Sequence, residues 1–125
     1  MKVKCIRLLD ALDREVETSP WLTLGDVYHV MSIDIGQDGK RRYGIVTSDR
    51  GDEWPSMGAH QAECFEIVST MVPSNWRPKV NAHGGITIAP DAWLQPSFFV
   101  DFYDHDAASL PAFQRERDVI LNEDP

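Results

Sequence analysis

The sequence predicts an α+β protein: a small five-stranded antiparallel barrel over residues 1–70, with C-terminal helices packed on it in one 1–125 domain. Three observations predict this. Short apolar runs alternate with turn signals at the spacing of a bent sheet. The run Val27–Ile35 alternates in strand fashion more cleanly than any other segment. Beyond residue 97 the apolar spacing changes to that of helices. With 125 residues the chain is long enough for one core without disulfides or metals.

Residues 2–8 read as the first strand, with Val3, Cys5, Ile6 and Leu8 apolar and an irregularity at Cys5-Ile6. Residues 9–23 show no periodicity, and Asp10, Asp13, Glu15 and Glu17 mark them as a long exposed arm. The second strand puts Val27, His29, Met31, Ile33 and Ile35 on one face and Tyr28, Val30, Ser32 and Asp34 on the other. Gly36-Gln37-Asp38-Gly39 turns into a third strand, Tyr43 to Ser48. Asp49–Asp52 turns again into a short fourth strand around Trp54, which Pro55 makes an edge or an early exit. Gly58 to Glu63 suit one helical turn, and Cys64 to Val68 alternate as the fifth strand. The expected core is Val27, Met31, Ile33, Ile45, Phe65 and Ile67.

Residues 71–96 read as a wrapping segment punctuated by Pro73, Pro78, Gly84 and Gly85, docked through Trp76, with a short strand at Ile86–Ile88 and a turn or helical turn at 89–94. Residues 97–104 fit either a buried strand or a helix capped by Ser97 with Phe98, Phe99 and Phe102 on one face, and the helix is preferred. Asp106 caps a last helix near 107–122, with Leu110, Phe113, Ile120 and Leu121 inward and Pro111 in the tolerant first turn. The helical C-terminal part is thus 97–122.

Two resemblances follow from these residues. The order strand, arm at 9–23, strand from Leu24 with Tyr28-x-Val30, turn at 49–52, and Ala59-His60-Gln61-Ala62-Glu63-Cys64-Phe65 before the last strand resembles the Src-homology-three-like barrel over residues 1–70. Here, unlike in that family's peptide-binding members, the arm is acidic and the third strand opens with Arg41-Arg42-Tyr43. The segment from Trp93 through Pro96, Phe98-Phe99, Asp101-Phe102-Tyr103-Asp104 and Asp106 to Phe113 and Glu116 resembles small bacterial proteins that include immunity proteins of secreted-toxin systems. That likeness spans about residues 76–122 and implies binding rather than catalysis.

The charge balance points the same way. Twelve basic residues against 20 acidic give −8, which disfavours nucleic acid and anionic membranes and favours a basic partner. No apolar run approaches a membrane span, and the N-terminus is too charged for a signal peptide. Cys5 and Cys64 make no disulfide framework, so a reducing cytoplasm is the expected compartment. His60 and Cys64, one helical turn apart, are the only pair spaced for a metal or for a Cys nucleophile with its base. Two ligands are too few for zinc, and a Cys before Phe in an alternating strand reads as core. No metal, cofactor or catalytic motif is expected.

From Val80 to Gln114 there is no Lys or Arg, while Asp91, Asp101, Asp104 and Asp106 all fall there. Aspartates beside Tyr103 make a patch suited to a basic active site, with Asp101, Tyr103, Asp104 and Asp106 as expected contacts. The plainer reading is a solvated helix face with Asp106 as a cap. Trp54 beside the charged turn is a further contact candidate, although a Trp in so small a fold is commonly core. The expected function is an immunity-type neutraliser that occludes a basic toxin. The alternatives are a barrel-type interaction adaptor and, behind it, an enzyme centred on Cys64 and His60.

Overall fold

The computed structural model describes residues 1–125 and is α+β, with antiparallel sheets and helices at the C-terminal end. The strands are β1 (Lys2–Cys5), β2 (Leu8–Leu9), β3 (Glu15–Val16), β4 (Val27–His29), β5 (Ser32–Ile35), β6 (Arg41–Ser48), β7 (Ser56–Gln61), β8 (Phe65–Ser69), β9 (Trp76–Val80) and β10 (Ile86–Pro90). The helices are α1 (Phe98–Tyr103) and α2 (Leu110–Glu123), with single 3₁₀ turns at Ala62–Cys64, Asp91–Leu94 and Ala107–Ser109.

The expected five-stranded barrel is not what forms. There are three sheets, ordered β4-β1-β8, β7-β6-β5-β10-β9 and β2-β3, and none is a closed barrel. The reason lies at Val30-Met31, in the middle of the strand expected to run unbroken. The Val30 N–H donates to Met1 O (3.0 Å) in the first sheet, and the next amide, Met31 N–H, donates to Gly44 O (2.8 Å) in the second. The chain changes sheets there, so Val30, Met31 and Ser32 are all buried and alternation fails. The other edge of β5 is taken by β10, in register Ile86↔Ile35 and Ile88↔Ile33. The segment 71–96 therefore extends the larger sheet as a β9–β10 hairpin. Trp76 docks it, donating from Nε1 to Met31 O (3.1 Å).

Other local expectations shift for similar reasons. The fourth strand begins after Pro55 and not around Trp54, and the helical turn expected from Gly58 is strand as far as Gln61. The long β6 supplies the template, pairing Arg42↔Gln61, Tyr43↔His60 and Gly44↔Ala59. The arm 9–23 folds back as the β2–β3 hairpin, which Asp10 ties by accepting the Leu12 and Arg14 amides at 2.8 and 3.0 Å.

Met31, Ile45 and Phe65 are in the core as expected, and Ile33 packs against it. Val27 (53% exposed) and Ile67 (47% exposed) are not. Val27 pairs with the exposed Lys4, and Ile67 lies on β8, an edge strand with one flank uncovered. The C-terminal half has its own aromatic centre. Phe113 stacks on Phe102 (4.5 Å) and Trp93 (5.1 Å), and Trp93 stacks on Phe98 (6.1 Å).

A candidate protein-binding face on the first helix

Residues 98–103 are a helix because burying Phe98 and Phe102 at i, i+4 spacing against Trp93 and Phe113 outweighs the poor helix-forming tendency of so short a piece. Ser97 does not cap it as expected. Its backbone is left-handed (φ 66°) and its side chain makes no cap hydrogen bond; its carbonyl instead accepts the Asp101 N–H at 2.9 Å. Asp106 does cap, its carboxylate accepting the Ala108 N–H at 3.1 Å.

With Phe98 and Phe102 turned inward, the outward side of α1 carries Val100 (63% exposed) and Tyr103 (52% exposed). Tyr103 is tethered: its hydroxyl donates to Met57 O at 3.0 Å, while its ring stays accessible. Asp101 is half-buried, and Asp104 and Asp106 are exposed. A left-handed residue, His105 (φ 59°), reverses the chain and lets Asp106 N–H donate to Asp101 O at 2.9 Å. The structure thus gathers Asp101, Tyr103, Asp104 and Asp106 at one end of α1.

Trp54 joins them from a distant part of the chain. Its indole stacks on His105 (4.7 Å, 11° between planes) and tilts against Phe102 at 5.5 Å. It is half-buried, packed on the core, and its Nε1–H is buried without a partner. It therefore serves as a wedge that holds the 49–53 turn against the end of α1. That turn brings Asp52 and Glu53, both exposed. Neither these two nor Asp101, Asp104 or Asp106 takes part in an ion pair; Asp49 alone of this group is paired, with Arg117.

No family model, curated protein or solved structure matches this chain.

His60 and Cys64 do not share a helical turn. His60 is on β7, half-buried, its ring 6.4 Å from that of Trp21, and Cys64 ends the following 3₁₀ turn. Burial, with Arg42 nearby, lowers the His60 pKa, and burial raises both the Cys64 and Cys5 thiols. The thiolate that nucleophilic or metal chemistry requires is thus disfavoured. No three His, Cys, Asp or Glu side chains cluster as metal ligands would. Nor is any helix long and apolar enough to cross a membrane.

Two concavities had no sequence signature. One, of about 410 Å³, lies between α1 and the outer face of the larger sheet, with Ser32, Asp34 and Gly44 as floor and Phe99, Val100 and Tyr103 as wall. The other, of about 610 Å³, lies between the 9–23 arm and β7 and includes Leu9, Val16, Trp21 and His60. Val100 had no sequence signature of its own either. Helical spacing from Phe98 and Phe102 would have placed it outward, but only once the helix itself is granted.

Proposed function

We propose that the chain is a stoichiometric inhibitor of the immunity type, a cytoplasmic neutraliser that occludes a basic toxin domain through the end of α1. The observation that carries this is the pairing of exposed apolar surface, Val100 and Tyr103, with neighbouring carboxylates that have no cation partner. A merely solvated helix face needs no accessible aromatic ring. A contact face does: a pre-oriented ring contributes anchoring area at little entropic cost, and unpaired carboxylates steer a basic partner. The net charge of −8 extends that attraction over the whole molecule. Occlusion asks no chemistry of the chain, in keeping with two thiols that are buried.

The test is co-expression with a candidate basic toxin domain. Growth rescue by the native chain and its loss in Asp104→Lys are expected, with an unchanged thermal melt because Asp104 is exposed. Association measured at low salt should slow by about tenfold or more in Asp101→Lys/Asp104→Lys, and raised salt should shrink the difference. Equal rates and an unchanged melt would reduce the patch to a solvated face.

An interaction adaptor is the second reading. The groove beside the arm favours it, because Trp21 is 60% exposed there next to Leu9, Val16 and Pro20. Binding at that groove would be apolar and insensitive to salt, and Trp21→Ala would abolish it without affecting Asp104-dependent binding.

A further inference from the structure

We propose that the cleft between α1 and the larger sheet is an arginine-acceptor pocket, in which a partner's guanidinium lies against Tyr103 and meets the Asp34 carboxylate. This rests on the reading of α1 as a contact face and names what that face receives. Val100 and Tyr103 belong to both the exposed face and the cleft wall, so the two are continuous. The volume, about 410 Å³, lies within the range of small-ligand sites.

Asp34 is held for the purpose. The Thr87 hydroxyl donates to Asp34 Oδ1 at 2.8 Å, and Thr87 Oγ1 itself accepts from Asn81 Nδ2 at 3.0 Å. With its proton committed to Asp34, Thr87 fixes the plane of the carboxylate, yet no cation pairs with it. Two residues earlier on the same face, Ser32 is only 3% exposed and lines the cleft. It stands over Gly44, where any side chain would collide with Ser32 Oγ. The floor thus offers a carboxylate and a hydroxyl, both acceptors. The wall offers the stacked rings of Phe99 and Tyr103, 6.3 Å apart at 23°. Burial and the Asp34 carboxylate raise the Tyr103 phenol, which keeps it a neutral donor to Met57 O.

A planar cation that stacks on aromatic rings while its N–H groups meet a carboxylate is a guanidinium, and Lys satisfies only the second demand. The other charges about the cleft are Lys79, Arg42 and Asp101. Lys79 also lines the cleft, in the cross-strand row of Asp34 with Thr87 between them, and donates to Leu94 O at 3.3 Å. Arg42 stands opposite Asp34 on β6, exposed and unpaired with it. Asp101, on α1, adds to the attraction. Lys79 opposes a cation, which makes it a diagnostic of sign.

The experiment is an NMR titration of the full chain with N-acetyl-arginine amide, with the norleucine and lysine analogues as controls. Saturable shifts at Asp34, Thr87 and Tyr103 are expected with the arginine probe. Asp34→Asn should weaken them by about tenfold or more, since a charged hydrogen-bond acceptor is lost. Exposed Lys79→Met, which leaves the core untouched, should tighten binding, and Glu66→Gln, an exposed change on β8 away from the cleft, should change it by less than about twofold. The pocket is overturned if the native chain does not respond, if norleucine binds as well as arginine, if Asp34→Asn has no effect, or if Lys79→Met weakens binding. Those outcomes stand whatever Asp104→Lys does to growth rescue. An intact titration with rescue indifferent to Asp104→Lys would instead overturn the contact-face reading.

Discussion

Phe65 and Ile67 are two residues apart on β8 and point to the same side, yet they carry very different weight. Phe65 meets Tyr43 at 5.9 Å and the edge of Tyr28 at 6.4 Å, and is 8% exposed. Ile67 is near the open flank of the same edge strand. Truncating Phe65 to Ala should cost about 3–5 kcal/mol, the transfer of the ring plus the cavity left behind. Ile67→Ala should cost less than about 1 kcal/mol, because much of its surface is already in water. Urea midpoints of the two variants check the contrast, and equal shifts would show that β8 is covered on both sides. Tyr103 makes a similar point: its ring is accessible, but the hydroxyl bond to Met57 fixes its direction before any partner arrives.

Helix α1 is too short to hold itself together and depends on what precedes and follows it. Its interior face is locked by the Phe102–Phe113 stack, and its exit is set by the left-handed His105 and the Asp106 cap. Asp106→Ala should therefore cost about 0.5–2 kcal/mol and speed amide exchange at Ala108. Asp106→Asn should cost almost nothing, because Asn caps nearly as well. The pair also separates two roles for one residue: if Asp106 contacts a basic partner, Asp106→Asn slows association without moving the melt. An Asp106→Asn chain as unstable as Asp106→Ala would mean that the charge, and not the cap, is what the helix uses.

At the scale of the molecule, the two ends of the chain are clasped. Asp124 accepts the Ser69 hydroxyl at 2.6 Å and lies 3.1 Å from the Met1 ammonium, while Glu123 accepts both the hydroxyl and the N–H of Ser74. The Ser69 hydrogen bond chiefly lowers the Asp124 pKa, and the Ser74 hydroxyl and amide lower that of Glu123. A carboxylate whose folded pKa is depressed stabilises the fold above its unfolded pKa, near 4, and that contribution is lost as the pH falls toward the folded value. Asp124→Asn should thus melt below the native chain at neutral pH, and the gap should close as the pH drops below about 4. Melts from neutral pH to about pH 3 check this; a gap that persists at the acid end would show that the clasp works by shape and not by charge.

Much of this protein was determined by its sequence alone, wherever a short stretch decides its own structure. The irregularity after Cys5, the turns at 36–39 and 49–52, the strand at Ile86–Ile88 and the Asp106 cap all follow from local spacing, turn chemistry and capping, whereas residues 98–103 fitted strand or helix until packing on Trp93 and Phe113 decided for the helix. The aspartates and Tyr103 at the end of α1 were legible for the same reason, being close together along the chain. What required the tertiary structure is pairing at long range. That Val30 bonds to Met1 and Met31 to Gly44 is invisible to alternation, which sees one strand where two sheets divide it. It was this division, with β10 on the free edge of β5, that left the sheets open instead of closing a barrel. The same holds for the stacking of Trp54 on His105 and the Thr87 bond to Asp34, each joining residues about fifty positions apart. Periodicity reports which side of an element faces inward. Which element lies against that side is set by packing of the whole chain, where many weak contacts are satisfied together.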